Sequence, residues 1–160
     1  MLNHLTFLLI KPSALKKEAD IIEYLLKNEL TVVKKTTIVL NKLQLLELYK
    51  EEIDKMIERN KEIAEAMIKA YCDTMEGKEM TLLLLESSKD AIEICSNLKG
   101  ESYFPNKCSP QSLRYLFRDS AWDTVEAKPG EIIQPPTDNA VHCPRTYSEF
   151  KEVSDRFFVK

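Results

Sequence analysis

Two apolar runs, Leu5 to Ile10 and Met80 to Leu85, set the strongest limit on what this chain can fold into. The first is interrupted only by Thr6 and stops at Lys11-Pro12. A run without polar alternation has no side to show to water, so it reads as a central strand buried on both faces. Proline has no N–H to give to a ladder, so the strand must end there. Lys11 then sits at the carboxyl end of a strand, where open sheets place ligand sites.

The segments between these runs read as helices and one further strand. Ala14 to Lys27 carries Ile21, Ile22, Leu25 and Leu26 on one side and predicts a helix capped by Ser13. Leu30 to Leu40 is rich in Val, Ile and Thr and predicts a strand whose faces are not cleanly separated. Lys42 to Tyr49 opens a helical region. Ile53, Met56, Ile57, Ile63, Ala64, Met67, Ile68 and Tyr71 extend it as one near-continuous stripe of helical period, ended by Glu76-Gly77-Lys78-Glu79. That stripe reads as core packing or a helix–helix seam.

Asp90 to Leu98 predicts a short helix, Lys99 to Cys108 a loop, and Ser109 to Phe117 another short helix. Arg118 to Pro136 has prolines and charges without periodicity and reads as a long excursion, with Trp122 pinning it to the body. The element order predicts an α+β domain: a ferredoxin-like, four-stranded antiparallel sheet with helices over one face.

Asn139-Ala-Val-His142 closes that excursion and contains one of the two histidines. Phe150, Val153, Phe157 and Phe158 follow at helical spacing, so His142 ends a short buried strand or turn and faces what lies above the next helix. A neutral imidazole there serves as nucleophile, proton shuttle, metal ligand or simple packing.

Three short motifs in order narrow this choice. Thr6-Phe-Leu-Leu-Ile-Lys-Pro12, Ser112-Leu-Arg114 and Asn139-Ala-Val-His142, with Phe157-Phe158 closing the last helix, resemble the signatures of nucleoside diphosphate kinases. The resemblance runs nearly end to end and is to a divergent branch. It implies one domain over residues 1–160, with a long insertion at about 118–138. It implies a ping-pong reaction in which a nucleoside triphosphate phosphorylates His142 and a diphosphate collects the phosphate. In that scheme Arg114 forks onto phosphate oxygens, Lys11 adds a point charge and Asn139 meets the sugar hydroxyl. Tyr49 and Ser102 match family residues at the nucleotide. Mg²⁺ is carried on the nucleotide phosphates, and a homo-oligomer, hexamer or smaller, is expected.

The sequence also departs from the family pattern. A second phosphate-binding arginine falls near Ser96, with Lys99 one turn on as its substitute. The glutamate that supports the histidine ring falls on Val153, and Glu152 beside it points roughly 100° away on a helix. Residues Ile63 to Met67, where an aromatic would stack on the base, contain none. These departures motivate an alternative reading, a low-activity or inactive nucleotide-binding or scaffold protein on the same fold.

Composition excludes other classes. The 160 residues carry a net charge of −3, which leaves no electrostatic footprint for nucleic acid, and paired aromatics for RNA are missing from the expected strands. Cys72, Cys95, Cys108 and Cys143 show no Cys-x-x-Cys spacing, so no zinc set is expected and free thiols are. No stretch is long enough for a signal-peptide core or a bilayer span, so the expectation is a cytoplasmic protein with no membrane partner. Replacing residues 118–136 with a short linker should leave the melting temperature within a few degrees; insoluble or unfolded protein would show that the excursion belongs to the core.

Overall fold

The computed structural model describes residues 3–124, 129 and 137–158. Its sheet has strand β1 (Leu5–Ile10) inside, flanked by β3 (Glu79–Glu86) and β4 (Val141–His142), with β2 (Thr31–Val39) on the outer edge of β3. The order is β2-β3-β1-β4 and every pairing is antiparallel. Leu5 faces Glu86 and Ile10 faces Thr81 across β1 and β3, while Leu9 and Ile10 face His142 and Val141. The two apolar runs therefore lie side by side at the centre.

Helices cover both faces of this sheet, not one. Phe7, Leu9, Met80 and Leu82 point into a cluster with residues of α2 (Lys42–Leu48), α3 (Lys50–Arg59), α4 (Lys61–Met75) and α7 (Tyr147–Phe157). Leu8, Ile10, Leu83 and Leu85 point the other way, onto α1 (Glu18–Lys27), α5 (Ala91–Lys99) and α6 (Leu113–Leu116). The cause is in the runs themselves: successive side chains alternate between faces, and both sets are apolar. Strand β2 contrasts with them as an edge strand, with Val33 and Val39 more than half exposed and a register shift between Val32 and Lys34.

Local corrections to the sequence reading have identifiable causes. Pro12 starts a 3₁₀ turn over Pro12–Lys17, so α1 begins only at Glu18. Ser13 does not cap it. Its N–H and hydroxyl donate instead to the Asp138 carboxylate, at 2.8 and 2.6 Å. The long helical stripe is broken at Asn60, whose side chain accepts from the N–H groups of Glu62 and Ile63 and caps α4. The break resets the phase, so Ile57 and Ile63 are exposed while Ile53, Ala64, Met67 and Tyr71 stay buried. The helix expected from Ser109 shrinks to α6, capped by the Ser112 hydroxyl.

Trp122 meets the Phe104 ring edge-on, with centroids 6.3 Å apart, and Arg118 pairs with Asp123 at 2.6 Å. The remainder of the expected excursion, residues 125–128 and 130–136, lies outside the described residues. Among the described residues, no helix is long and apolar enough to cross a membrane. Truncating Leu8 or Leu9 to alanine tests the two-sided core. Each should lower unfolding free energy by about 2–5 kcal/mol in urea titrations, the range for a buried leucine; a near-neutral result at either position would mean that its face is not packed.

Candidate active site

The site is assembled where β1 and β4 end beside each other. Pairing with Leu9 fixes the backbone of His142, and the Lys11 N–H donates to the Ala140 carbonyl at 2.9 Å. Ala140 itself has φ 76°, a left-handed turn that an L side chain adopts at a cost of about 1–2 kcal/mol. That turn redirects the chain from Asn139 into β4.

Lys11, Tyr49, Arg114, Asn139 and His142 line one cavity, together with Glu52, Tyr71 and other groups. All five expected residues are almost completely buried. The Lys11 ammonium donates to the Thr137 carbonyl and to Asn139 Oδ1, both at 2.8 Å. It also lies 5.3 Å from the centre of the Tyr49 ring. Burial, and next the charge of Arg114, pull its pKa down to about 7, against the opposing pull of Asp138 and Glu52. Asn139 also donates from Nδ2 to the Tyr103 carbonyl at 3.2 Å, so both ends of its amide are engaged within the protein.

Arg114 is held from behind. Its Nη1 donates to the Ser102 carbonyl at 3.0 Å and its Nη2 to the Val141 carbonyl at 3.4 Å, while its buried Nε has no partner. Tyr49 contributes its ring and not its hydroxyl. The ring stacks on Tyr71 at 4.2 Å and lies 4.8 Å from the imidazole, but the hydroxyl turns to the Met75 sulfur at 3.8 Å.

Lys99 and Ser102 are not brought into the lining. Lys99 is buried nearby, with its pKa lowered first by burial, and its charge acts on Cys143 and Glu149. The Ser102 hydroxyl accepts from the Phe104 N–H at 3.1 Å and shapes a turn, while the carbonyl anchors Arg114. Gly100 precedes that turn at φ 122°, where an added Cβ would come within 2.9 Å of the Cys108 sulfur.

Two carboxylates flank His142, and neither was singled out in the sequence. Glu52 Oε1 lies 3.9 Å from Nδ1 and Glu149 Oε1 lies 3.5 Å from Nε2. Val153, the position expected for a supporting glutamate, is packed in the apolar core with Phe150. Glu149 is one turn earlier on the same helix face. Tyr71, part of the stripe expected to form core packing or a helix–helix seam, is core and cavity wall together. Glu52, His142 and Glu149 are also the one set of three ligand atoms that the described residues bring within 4.8 Å of one another. The cations Lys11, Lys99 and Arg114 around them weigh against a metal there. A larger surface groove, lined by Asn28, Asn97 and Ser109, holds no comparable group of buried ionisable side chains.

Known proteins share this architecture. The solved structures it resembles include a nucleoside-diphosphate kinase from Borrelia burgdorferi, described as a transition-state mimic with bound vanadate and ADP. That match has 15% identity and a TM-score of 0.73, over 96% of this chain and 86% of the other. An NDP kinase from Pyrobaculum aerophilum matches with 18% identity and a TM-score of 0.69, over 98% and 96%. A halophilic nucleoside diphosphate kinase from Halobacterium salinarum in complex with CDP matches with 17% identity and a TM-score of 0.67, over 99% and 89%. At such identities the likeness concerns the fold. No curated protein matches by sequence. The family model for nucleoside diphosphate kinase, however, matches residues 4–160, and on that match the chain belongs to the nucleoside diphosphate kinase family.

Proposed function

We propose that the protein transfers the terminal phosphate of a nucleoside triphosphate to a nucleoside diphosphate through a phosphohistidine at His142. The observation that carries this reading is one cavity holding a buried imidazole with two buried cations, Lys11 and Arg114. Phosphoryl transfer asks for an in-line nucleophile and for positive charge on the equatorial oxygens, with little else from the protein. The imidazole supplies the first, and the ammonium and guanidinium supply the second.

The imidazole lone pair forms the N–P bond as the bridging P–O bond breaks, and the electron pair leaves with the diphosphate. An acceptor diphosphate oxygen then attacks phosphorus and returns the pair to the ring. Asn139 holds Lys11 in place for this, and the Tyr49 ring packs against the imidazole. Mg²⁺ enters with the nucleotide as part of the substrate; among the described residues the cavity wall has one carboxylate, Glu52, and so no cage of its own for that ion. A single domain over residues 1–160, a homo-oligomeric assembly and a cytoplasmic location complete the proposal.

The test is incubation with γ-labelled Mg·ATP. The label should be stable to base and labile to acid. His142→Ala should abolish it, whereas His4→Ala should keep it, since the His4 ring is engaged with the Ser87 carbonyl at 3.0 Å. Arg114→Ala should lose about 2–4 kcal/mol of transition-state stabilisation in kcat/KM, the scale of one aligned charged donor. No label in folded, nucleotide-binding protein would leave a binding protein in its place.

Affinity should also follow pH in a defined direction. With a pKa of about 7, free Lys11 loses its charge as pH rises, and phosphate binds the charged form. ADP affinity should therefore weaken from about pH 7 upward, and binding at about pH 8 should take up a proton. Calorimetry in buffers of different ionisation enthalpy measures that proton directly, and Lys11→Met should remove it.

A further inference from the structure

The cavity around His142 is shut. Its free volume is about 10 Å³, room for one water molecule at most. Even a single phosphate group is larger than that. Lys11, Arg114, Asn139 and His142 are each no more than 3% exposed. A nucleotide therefore reaches them only if part of the wall moves.

Which part moves follows from how each wall is held. Lys11 and His142 are fixed by the backbone pairing of β1 with the segment of β4. The loop at Ser102 and Tyr103 is bonded directly to the groups of the site, since the Ser102 carbonyl accepts from Arg114 and the Tyr103 carbonyl from Asn139. Met67 and Tyr71 of α4 are held otherwise. Tyr71 stacks on the Tyr49 ring, and α4 is fastened to residue 137 through hydroxyls alone. The Thr137 hydroxyl donates to the Ala70 carbonyl at 3.2 Å and meets the Thr74 hydroxyl at 2.8 Å. No charged group takes part in those contacts. Beyond α4 the chain can absorb a change of helix direction: Glu76 is extended, and Gly77 has φ 70° with open space where a Cβ would lie.

We propose that α4 is an autoinhibitory lid, bolted to Thr137 through Thr74 and Ala70, which must part from residue 137 before a nucleoside phosphate can enter. This rests on the nucleotide-binding reading for what enters, though not for the closure itself. Parting takes Met67 and Tyr71 off the cavity. The Thr137 carbonyl and Asn139 keep Lys11 in place meanwhile, because those bonds do not involve α4. The resting position of this lid is the shut one, so the state that binds is a minority. Affinity is then reduced by the fraction open, and loosening the bolt strengthens binding. Damage to the site would weaken binding instead, so the sign separates the two.

The experiment is stopped-flow association of ADP carrying a fluorescent N-methylanthraniloyl group, with hydrogen exchange of the nucleotide-free protein alongside. In the wild type the association rate should reach a ceiling set by lid opening as the nucleotide concentration rises. Thr74→Val should raise that ceiling and tighten binding by about 3- to 10-fold, the ratio for one lost hydrogen bond. Lys69→Ala, at an exposed position on the same helix, should change neither. Thr74→Cys with Thr137→Cys replaces the bolt by a disulfide on mild oxidation by a small disulfide reagent. The bridged protein should bind no nucleotide, take no label from Mg·ATP and exchange its α4 amides more slowly, and reduction should restore all three; oxidised wild type is the control. A rate that climbs without a ceiling would overturn the proposal. So would unchanged or weaker binding in Thr74→Val, or a bridged protein that binds like the reduced one. If no variant binds nucleotide, yet α4 amides exchange faster in Thr74→Val than in wild type, the nucleotide reading falls and the lid stands; unchanged exchange overturns both.

Discussion

A lysine ammonium with almost no exposure to water, beside an arginine equally withdrawn, is the constraint around which the rest of the structure is arranged. Moving a charge out of water is costly unless fixed dipoles replace the lost hydration. The Thr137 carbonyl and the Asn139 amide oxygen supply that replacement for Lys11, and the Ser102 and Val141 carbonyls do so for Arg114. Each acceptor belongs to backbone, or to a side chain held at its other end. The Asp138 carboxylate, seated on Ser13, adds a compensating charge and locks the loop to the end of β1. Two like charges kept partly unsatisfied in one cavity store an attraction for an anion, and that stored attraction makes the cavity a site.

The sheet answers for the precision of that arrangement. His142 lies on a strand of two residues, too short to hold itself, and its position is inherited from β1. Because β1 is packed from both faces, its backbone has little freedom, and the short strand shares that stiffness. The helices serve both layers: α4 fills the core with Met67 and Tyr71 and lines the cavity with the same side chains. Core and site are therefore not separable by mutation on that face.

How much of this the sequence disclosed depends on the range of the interaction involved. The central strands were legible because an apolar run is a local signal, and the α+β class followed from element order. The convergence of Lys11, Arg114, Asn139 and His142 was legible only through short motifs that resemble a family, since nothing in local spacing brings residues 11 and 142 together. The break at Asn60 was hidden because the apolar period runs straight through it, and the duty of Ser13 was hidden because its partner, Asp138, is far along the chain. Coverage of both sheet faces was implied by the same runs that named the strands, yet the topological template of one covered face overrode it. Glu149 was hidden for another reason: the family pattern points to position 153, and the carboxylate that comes within 3.5 Å of the ring lies one turn earlier on the same helix.

The ties on either side of residues 125–136 carry a consequence for how this chain tolerates change. Before them Arg118 holds Asp123 and Trp122 rests on Phe104; after them Thr137 bonds Thr74 at 2.8 Å and Asp138 clamps Ser13. Contacts made by residues 137 and 138 themselves thus set where the chain enters the histidine strand. The register of that strand therefore depends on Thr74 and Ser13, far from it in sequence, and change at either residue reaches it.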